Sequence, residues 1–432
     1  MKVLVIGSGG REHALAWKLQ QSSQIERLFI APGNAGIKLE TEIESVALLA
    51  KDQNSIVKFC KDVGINLVVI GPDQALADGL VDRLVKEGIP AFGPTAAAAR
   101  IESSKAFAKD IMQKVGIPTA RFSLFSHLEE VNKFLEKSDW SGWVIKADGL
   151  ALGKGVVVCD SKDIARQTAE DFLSNKTLGD AGTNIVIEEK LLGKEVSAFH
   201  FCDGKEARFL GFACDYKQLQ DGGKGPNTGG MGAYSPVDWL PEGIQNQITK
   251  EVVQPLLHEM RKQDIPFSGM LFTGLMITND GPKVLEFNAR FGDPETQALL
   301  PLLDEDLLPW LKACAHQELH TRPKDIRKKT LVSIHVTKAS QGYPSHNLLL
   351  NEAISIDGDF FTQLKNSKEF LKIFFAGVNA TEPGMNHLKT SGGRVLGITA
   401  LAETKAAAKK KAYEAIKNIS FKGAQMRNDI GD

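Results

Sequence analysis

Short apolar runs that end in glycine alternate with amphipathic stretches over the first hundred residues. Residues 2–7 (KVLVIG) predict a strand, and Arg11–Gln21 has the spacing of an amphipathic helix. The strand pattern recurs at 27–34, at 65–73 before a helical stretch near 75–87, and at 89–94. Continuous apolar strands that alternate with helices predict a parallel sheet covered on both faces. We therefore expect residues 1–102 to form a Rossmann-like α/β substrate domain.

The pattern changes at Ser103, where a serine N-cap candidate precedes a helical stretch that stops at Gly116 and Pro118. Beyond it, strands and hairpins surround a helix near 161–174 and predict an α+β domain over residues 103–325. A basic stretch at 320–330 leads into further strands and a closing lysine-rich helix. Residues 326–432 are therefore predicted as a small C-terminal α+β domain.

The amino-acid composition narrows the set of functions and partners that the protein could have. The 52 Lys and Arg residues balance 53 Asp and Glu residues, which gives a net charge of −1 and argues against nucleic acid or anionic membrane as a partner. The five cysteines show no Cys-x-x-Cys spacing, and no long apolar run predicts a membrane span. We expect a soluble cytoplasmic protein that acts on small molecules.

Two glycine-rich loops are candidate phosphate sites. Residues 7–12 (GSGGRE) follow a strand, but Glu12 stands where the dinucleotide pattern needs a third glycine, which argues against NAD. These glycines either let a phosphate approach the helix N-terminus or only make a tight turn. Residues 149–155 (GLALGKG) lack the spacing of a Walker A loop. They form either a flexible lid over nucleotide phosphates or a plain hairpin.

Two further segments carry candidate chemistry. Glu286 and Asn288 lie on one face of an apolar strand and offer the oxygen ligands that Mg²⁺ prefers, and Arg290 can stabilise a phosphoryl group in transfer. The plainer interpretation is that these polar residues only mark the end of a strand. The run 225–232 (GPNTGGMG) is either a linker or a backbone nest for a phosphate or acyl group, with Asn227 and Thr228 at its centre.

Together these blocks resemble the phosphoribosylamine–glycine ligases, also called glycinamide ribonucleotide synthetases, of the ATP-grasp superfamily. The resemblance runs from residue 7 to residue 431 and covers one synthetase unit. It is carried by GSGGREHALAW (7–17), APGNAG (31–36), FGPT (92–95), SKAFAKD (104–110), IPTA (117–120), VIKADGLALGKGV (144–156), IVIEE (185–189), GPNTGGMGAYSP (225–236), EFNARFGDPETQ (286–297), SGGRVLGITAL (391–401) and RNDIG (427–431).

The resemblance implies a central ATP-grasp domain with a mobile lid subdomain at about 121–190, between the Rossmann-like and C-terminal domains. It implies ligation of glycine to 5-phosphoribosylamine through glycyl phosphate, with ATP as co-substrate and Mg²⁺ or Mn²⁺ as the metal, in the second step of de novo purine synthesis. A monomer or weak homodimer is expected.

Residue roles are implied in the same way. The implied nucleotide-binding residues are Lys105, Lys146, Gly149, Gly153, Lys154, Gly155, Glu188, Glu189, Leu191 and Glu195. The implied metal ligands are Glu286 and Asn288. Arg290, Asp293, Asn227 and Thr228 are assigned to the chemistry. The implied substrate-binding residues are Gly9, Gly10, Arg11, Asp73, Lys217 and Arg394.

Some positions depart from the usual family pattern. They are Asp73, Cys214, Tyr216, Gln218, Phe375 and Val378, and they fall in blocks on the acceptor-substrate side. Ordinary sequence drift is the simplest explanation of these departures. The alternative is a paralogous ligase that uses another amino acid or amine, since the loss of one polar contact can reshape selectivity. A nucleotide-binding protein without turnover and a dehydrogenase are the remaining alternatives.

Overall fold

A computed structural model describes residues 1–40, 42–151, 155–345, 347–366, 370–382, 384 and 387–432. The N-terminal unit is a five-stranded parallel sheet with strand order β3-β2-β1-β4-β5. The predicted parallel sheet is therefore present. Its elements are β1 (Lys2–Gly7), α1 (Gly10–Leu19), β2 (Arg27–Pro32), β3 (Ile43–Ser45), α2 (Gln53–Val63), β4 (Leu67–Ile70), α3 (Asp73–Ala77), α4 (Leu80–Lys86), β5 (Ala91–Phe92) and α5 (Ala96–Ser103).

One helix of this unit differs from its predicted form. The helical pattern at 75–87 is divided into α3 and α4, because Gly79 adopts a left-handed conformation with φ of 78° at the start of α4. A left-handed residue cannot continue an α-helix, and glycine adopts that conformation without steric cost. Asp73, at the start of α3, lines the large cavity described below.

The second unit begins at α6 and contains a small four-stranded sheet with order β6-β9-β7-β8. The elements of this subdomain are α6 (Lys105–Val115), β6 (Phe122–Phe125), α7 (Leu128–Lys137), β7 (Trp143–Ala147), β8 (Val156–Cys159), α8 (Lys162–Leu173) and β9 (Ile185–Glu189). Val131, Leu135, Trp143 and Phe172 belong to a hydrophobic cluster of its own, separate from the two clusters that unite the rest of the described chain. A separate core is what a subdomain needs to move as a body.

The remaining strands of the second unit form one continuous sheet with the C-terminal strands. Its order is β16-β15-β10-β11-β14-β17-β22-β19, and every neighbouring pair is antiparallel. The elements up to residue 315 are β10 (Lys194–Asp203), β11 (Ala207–Asp215), β12 (Gln218–Gln220), β13 (Lys224–Asn227), β14 (Gly232–Ser235), α9 (Ile244–Ile248), α10 (Gln254–Lys262), β15 (Ser268–Thr278), β16 (Gly281–Asn288), α11 (Glu295–Leu299) and α12 (Leu308–Ala315).

The C-terminal unit packs a helix and short strands against its end of this sheet. Its elements are β17 (Val332–Ala339), β18 (Ser355–Ile356), α13 (Gly358–Asn366), β19 (Leu371–Phe375), β20 (Val378–Ala380), β21 (Leu388–Thr390), β22 (Arg394–Ala402), α14 (Lys405–Ile416) and β23 (Ile419–Ser420). In the part of the chain that the structure describes, no helix is both long and apolar enough to cross a membrane.

The C-terminal unit is joined directly to the N-terminal one. The Phe375 backbone N–H donates to His13 Nδ1 at 2.9 Å, and the Asn34 side chain donates to the Phe375 carbonyl at 3.1 Å. The Phe375 ring stacks on His13, and the Lys372 ammonium pairs with Glu40. Gly36 leaves the space that the Phe375 ring occupies, because a Cβ at Gly36 would lie 2.0 Å from the Cγ atom of Phe375.

We expect Gly36→Ala to lower the free energy of unfolding by about 1–3 kcal/mol, the usual cost of an extra methyl group in a well-packed contact. Gly36 has ordinary helical dihedral angles, so the cost comes from the clash with Phe375 and not from the backbone. Gly358→Ala is the control, since a Cβ at Gly358 meets no atom within 4 Å. Urea unfolding of both variants measures the difference. Equal stabilities would contradict the close packing at Gly36.

Candidate active site

A cavity of about 1650 Å³ lies where the three units meet. Most of the residues with predicted roles line it: Arg11, Asp73, Lys105, Lys146, Gly155, Glu188, Glu189, Leu191, Glu195, Lys217, Asn227, Thr228, Glu286, Asn288, Arg290, Asp293 and Arg394. Gly9, Gly10 and Gly149 are described but lie outside its lining. Gly153 and Lys154 are outside the described residues. Sequence positions up to 383 residues apart are thus brought to one site.

Two buried lysines share one carboxylate at the base of the small sheet. The Glu188 Oε1 atom lies 2.8 Å from the Lys146 ammonium and 3.1 Å from the Lys109 ammonium. Lys146 also donates to the Leu285 carbonyl at 2.8 Å. Burial lowers the pKa of Lys109 to about 8, although Glu188 acts in the opposite direction. Lys109 carries no predicted role, yet it lines the cavity beside Lys146.

Glu286 and Asn288 project from the same face of β16 into the cavity. Burial acts to raise the pKa of Glu286, but Lys217, Lys146 and other nearby cations hold it below its ordinary value, so the group is a carboxylate. The Asn288 amide nitrogen is buried without a hydrogen-bond partner in the described chain. One carboxylate and one amide oxygen suit Mg²⁺, which takes its other ligands from phosphates and water. These side chains therefore fit a divalent metal.

Arg290 follows β16 and is held by acidic groups of the N-terminal unit. Its Nη2 atom lies 3.0 Å from Glu102 Oε1, and its Nε atom lies 3.9 Å from Asp73 Oδ2. Burial acts to lower the pKa of Arg290, but Glu102 and Asp73 raise it, so the guanidinium stays charged. The Nε atom is buried and makes no hydrogen bond to a described residue. A fixed charge beside Asn288 suits a group that stabilises a phosphoryl group in transfer.

The other end of the cavity is lined by residues near the end of β9 and at the starts of β10 and α6. Leu191 lies between β9 and β10, and Glu195 at the start of β10 pairs with the Lys217 ammonium at 2.6 Å. Glu189 accepts from Arg121, which ties β9 to the chain before β6. Lys105 begins α6 and lines the cavity without an ion pair to any residue that the structure describes. An unpaired ammonium is available for a phosphate.

The glycine-rich segment at 149–155, which is predicted as a lid or a plain hairpin, lies between β7 and β8. The Gly149 backbone N–H donates to the Ala181 carbonyl at 3.2 Å, and a Cβ at Gly149 would meet the Ala181 Cα at 2.7 Å. Asp148 accepts from Ser104 and from the Ala106 backbone N–H, so it joins this loop to the start of α6. The glycine at 149 thus permits close backbone packing, whereas Gly155 faces the cavity.

The N-terminal glycine loop is closed by an acid. Glu12 accepts from the Gly9 backbone N–H at 2.7 Å and from Arg11 Nε at 2.5 Å. Gly10 packs against Gln297, since a Cβ there would lie 2.6 Å from the Gln297 amide nitrogen. Glu12 stands at the position of the missing third glycine. Its carboxylate therefore accepts the hydrogen bond of the Gly9 backbone N–H, a donor of the same loop. Arg11 is the member of this loop that reaches the cavity lining.

Arg394 joins the C-terminal unit to the glycine-rich run. Its Nη1 atom donates to the carbonyls of Gly229 and Asp293, each at 2.6 Å, and its Nη2 atom lies 3.4 Å from Asp293 Oδ2. Thr228 donates to the Lys217 carbonyl at 2.7 Å. These bonds order the turn after Asn227, so the run at 225–232 is anchored at its centre.

Glu102, Asp215 and Glu295 line the cavity and have no predicted role. Glu102 fixes Arg290, as described above, while Asp215 and Glu295 lie near the Arg394 and Lys217 charges. Glu102 and Glu295 are almost completely buried. Glu102 lies near the end of α5, Asp215 ends β11 and Glu295 begins α11, and a single acid at such a position has no distinctive spacing in the sequence.

The departures from the family pattern lie at two places. Tyr216 donates to the Asp432 carbonyl and accepts from the Gly431 N–H, so it fixes the C-terminal tail. Phe375 and Val378 lie at the contact with the N-terminal unit, where the Val378 carbonyl accepts from the Ala35 N–H at 3.2 Å. Tyr216 also lines the cavity, as do Gln218, Cys214 and Asp73.

Three family models match consecutive parts of the chain. They describe the phosphoribosylglycinamide synthetase N domain over residues 1–102, the ATP-grasp (A) domain over 103–296 and the C domain over 333–432. The phosphoribosylamine–glycine ligase of Rhodopirellula baltica is 40% identical over 100% of this chain and 97% of that protein. The trifunctional purine biosynthetic protein adenosine-3 of Gallus gallus is 44% identical, but the chain spans 42% of its length.

Solved structures give the same comparison. The phosphoribosylamine–glycine ligase of Thermotoga maritima has a TM-score of 0.84 at 33% identity, with 100% of both chains covered. The biotin carboxylase domain of 2-oxoglutarate carboxylase from Hydrogenobacter thermophilus, solved with MgADP, ADP and bicarbonate, has a TM-score of 0.73 at 16% identity over 98% of this chain and 91% of that one. The second likeness shows the fold alone.

Proposed function

The chain belongs to the phosphoribosylglycinamide synthetase family, and we propose that it joins glycine to 5-phosphoribosylamine with conversion of ATP to ADP and phosphate. It is an ATP-dependent ligase with the ATP-grasp fold. The observation that carries the assignment of chemistry is that Glu286, Asn288 and Arg290 line one cavity together with Lys105 and Lys109 of α6 and Lys146 of β7.

The proposed reaction has two steps. A carboxylate is a poor electrophile, so the γ-phosphoryl group of ATP first passes to glycine and gives glycyl phosphate with release of ADP. The amine of phosphoribosylamine then attacks the acyl carbon, and phosphate leaves. Lys105 and Lys146 are proposed to hold the nucleotide phosphates, Glu195 the ribose, and Glu188, Glu189 and Leu191 the adenine side.

ATP-grasp enzymes use ATP with a divalent metal ion, and Mg²⁺ is the metal of the MgADP in the Hydrogenobacter thermophilus structure. We propose that Glu286 and Asn288 hold Mg²⁺ or Mn²⁺, which when bound neutralises the triphosphate charge. Arg290 supplies a fixed positive charge on the same side, and Asp293, which pairs with Arg394 at 3.4 Å, is proposed to act near the amine substrate.

Oxygen transfer tests the proposed chemistry. With glycine labelled with oxygen-18 in its carboxylate, we expect one labelled oxygen in each inorganic phosphate, because the acyl phosphate is cleaved at its carbon–oxygen bond. Hydroxylamine is expected to trap the acyl phosphate when phosphoribosylamine is omitted. Phosphate without label would contradict the route through glycyl phosphate.

A panel of amino acids separates this enzyme from a paralogue, which would turn over alanine or serine better than glycine.

We expect Glu286→Ala to raise the Mg²⁺ concentration needed for half-maximal activity by about tenfold or more, since the strand would keep only Asn288 as a ligand. ADP release measured against total Mg²⁺ gives the value. Glu251→Ala removes an exposed acid that only accepts from Gln247, and it serves as the control. Titration curves that overlay the unmodified enzyme's would refute the metal assignment.

We propose that the reaction takes place in the cytoplasm as a step of purine synthesis. All five cysteines are free, which agrees with a reducing compartment. The proposed partners are ATP, glycine and phosphoribosylamine, with neither nucleic acid nor membrane, and a monomer or weak homodimer stays a prediction. Phe375 and Val378 pack within the contact between the C-terminal and N-terminal units. Sequence drift accompanied by local repacking of that contact therefore explains the departures at these two positions.

A further inference from the structure

We propose that the tail segment, residues 427–432, holds the β12–β13 hairpin in place beside the cavity, and that Arg427 is a positioning residue for Lys217. The inference rests on the proposed function, because it acts through Lys217 on Glu195, the proposed ribose ligand of ATP. The tail segment contains RNDIG (427–431), the last block of the family resemblance, which has no part in the reaction described above.

The β12–β13 hairpin depends on contacts outside its own two strands. It forms a separate two-stranded sheet and pairs with no other strand in the part of the chain that the structure describes. An isolated hairpin is at best marginally stable in water. Three of the four residues of β13 are exposed, so the support comes from the side of β12. Gln218 and Asn227, at the two ends of the hairpin, line the cavity, so the position of the hairpin shapes the site.

The tail segment supplies this support. Arg427 Nη1 donates to the Gln218 carbonyl at 2.9 Å. Asn428 donates to both carboxylate oxygens of Asp221, from its backbone N–H at 2.7 Å and from its side-chain amide at 2.9 Å. The Tyr413 hydroxyl of α14 donates to the Arg427 carbonyl at 2.9 Å. The tail segment therefore connects the hairpin to the body of the C-terminal unit.

Arg427 is held in one orientation. Its Nε and Nη2 atoms donate to the two carboxylate oxygens of Asp429 at 2.7 and 2.6 Å, and its side chain is only 3% exposed. Asp429 also accepts from the Gly222 backbone N–H at 2.8 Å. The guanidinium lies over the Tyr216 ring, 4.9 Å from the ring centroid. A guanidinium that is both stacked and bidentate fixes a geometry that a lysine cannot reproduce.

The tail segment acts on both chain neighbours of Lys217. The Tyr216 hydroxyl bonds to the tail backbone, and the Gln218 carbonyl accepts from the tail as described above. The Lys217 carbonyl accepts from the Thr228 backbone N–H at 2.8 Å and from its hydroxyl at 2.7 Å. With the backbone fixed on both sides, the ammonium lies 2.6 Å from Glu195 Oε2. Such supporting contacts hold a functional side chain within its productive geometry.

Lys217 affects more than one group that is proposed to bind the metal–nucleotide complex. It pairs with Glu195, and among the nearby charges it does most to lower the pKa of Glu286. A displaced Lys217 would leave Glu195 without this partner and would change the charge balance at the proposed metal ligand. We therefore expect loss of the tail contacts to weaken ATP binding.

A double-mutant cycle tests whether Arg427 acts through Lys217. The variants are Arg427→Gln, Lys217→Met and the two combined, and the measurement is the Kd for ATP with Mg²⁺ by calorimetry in the absence of glycine. Arg427→Lys is the conservative variant. Lys410→Gln is the matched control, because it also removes one positive charge from the C-terminal unit, where Lys410 pairs with the exposed Glu414 at 3.8 Å.

We expect Arg427→Gln to raise the Kd for ATP by about tenfold alone but by less than about twofold when Lys217→Met is already present, because residues that act through one another are not additive. Arg427→Lys should restore part of the affinity, since a lysine can still donate to the Gln218 carbonyl. Lys410→Gln should leave the Kd unchanged. An equal loss with and without Lys217, or an unchanged Kd in Arg427→Gln, would overturn the proposal.

Tyr216→Phe is a milder variant for the case that Arg427→Gln does not fold. It removes one hydroxyl from the tail contact but keeps the ring beneath Arg427, and we expect the Kd for ATP to rise by about threefold. Partial unfolding alone would reduce the number of binding sites seen by calorimetry and leave the Kd unchanged, which would overturn the proposal. Failure of the proposed function is distinct, because the unmodified enzyme would then bind ATP but release no ADP with glycine and phosphoribosylamine.

Discussion

Replacement of Arg290 by alanine should lower kcat by about 10²–10³, the scale seen when one preorganised electrostatic group is removed from an active site. The guanidinium is fixed by Glu102 at 3.0 Å and by its own contact with the Phe291 carbonyl at 3.2 Å, so little reorganisation is needed when charge develops on the phosphoryl group. ADP release at saturating substrates measures the effect. The KM for ATP should change much less than kcat.

Two further variants separate the charge of Arg290 from its geometry. Arg290→Lys keeps a cation but loses the planar fork, so we expect partial activity. Glu102→Gln removes the anchor and should lower kcat without removing the cation. The fold should survive Arg290→Ala, because burial already raises the pKa of Glu102 and the acid can stay protonated. An unchanged kcat in Arg290→Ala would exclude Arg290 from the chemistry.

Loss of Glu188 should have the largest effect on stability. Its carboxylate lies within 3.1 Å of two buried ammonium groups, those of Lys109 and Lys146. Glu188→Ala leaves both cations without their counter-ion, and breaking a buried ion pair in this way costs about 3–5 kcal/mol. We expect that loss in the free energy of unfolding measured with urea, together with weaker ATP binding.

The neighbouring acid gives a matched control for this variant. Glu189 pairs with Arg121, whose side chain is 60% exposed, so Glu189→Gln should cost at most about 1 kcal/mol. The double variant Lys109→Met with Glu188→Gln removes one charge of each sign and should be more stable than Glu188→Ala. A loss below that of Glu189→Gln would show that the buried pair does not stabilise the fold.

The broad architecture follows from the sequence because it depends on local patterns. The apolar run 2–7 and its repeats predict the parallel sheet, and the three-domain ATP-grasp architecture implied by the motifs is confirmed by the family models and the Thermotoga maritima structure. The prediction of one helix near 75–87 is wrong in detail, because the structure has two helices there and the pattern does not show that Gly79 adopts a left-handed conformation. Dihedral angles at glycine are not encoded by hydrophobic spacing.

The candidate site is predictable where one segment carries several functional groups. Glu286, Asn288 and Arg290 fall within five positions: strand alternation places Glu286 and Asn288 on one face, and Arg290 follows two residues after the strand ends. Asp215 and Glu295 are 80 positions apart, and their proximity is created by tertiary packing that no local pattern records. Lys109 is intermediate: it follows Lys105 by one helical turn, a spacing that indicates a shared face but not the buried partner Glu188.

The eight-stranded sheet has a practical consequence for dissecting the enzyme. Because β17 pairs with β14 along Gly232–Ser235, a fragment ending before residue 332 would expose the backbone N–H and C=O groups of β14 as an open edge. Open apolar edges invite strand addition from another molecule, so such a fragment should self-associate when expressed. The segment from residue 332 onward is therefore better studied by point substitution than by truncation.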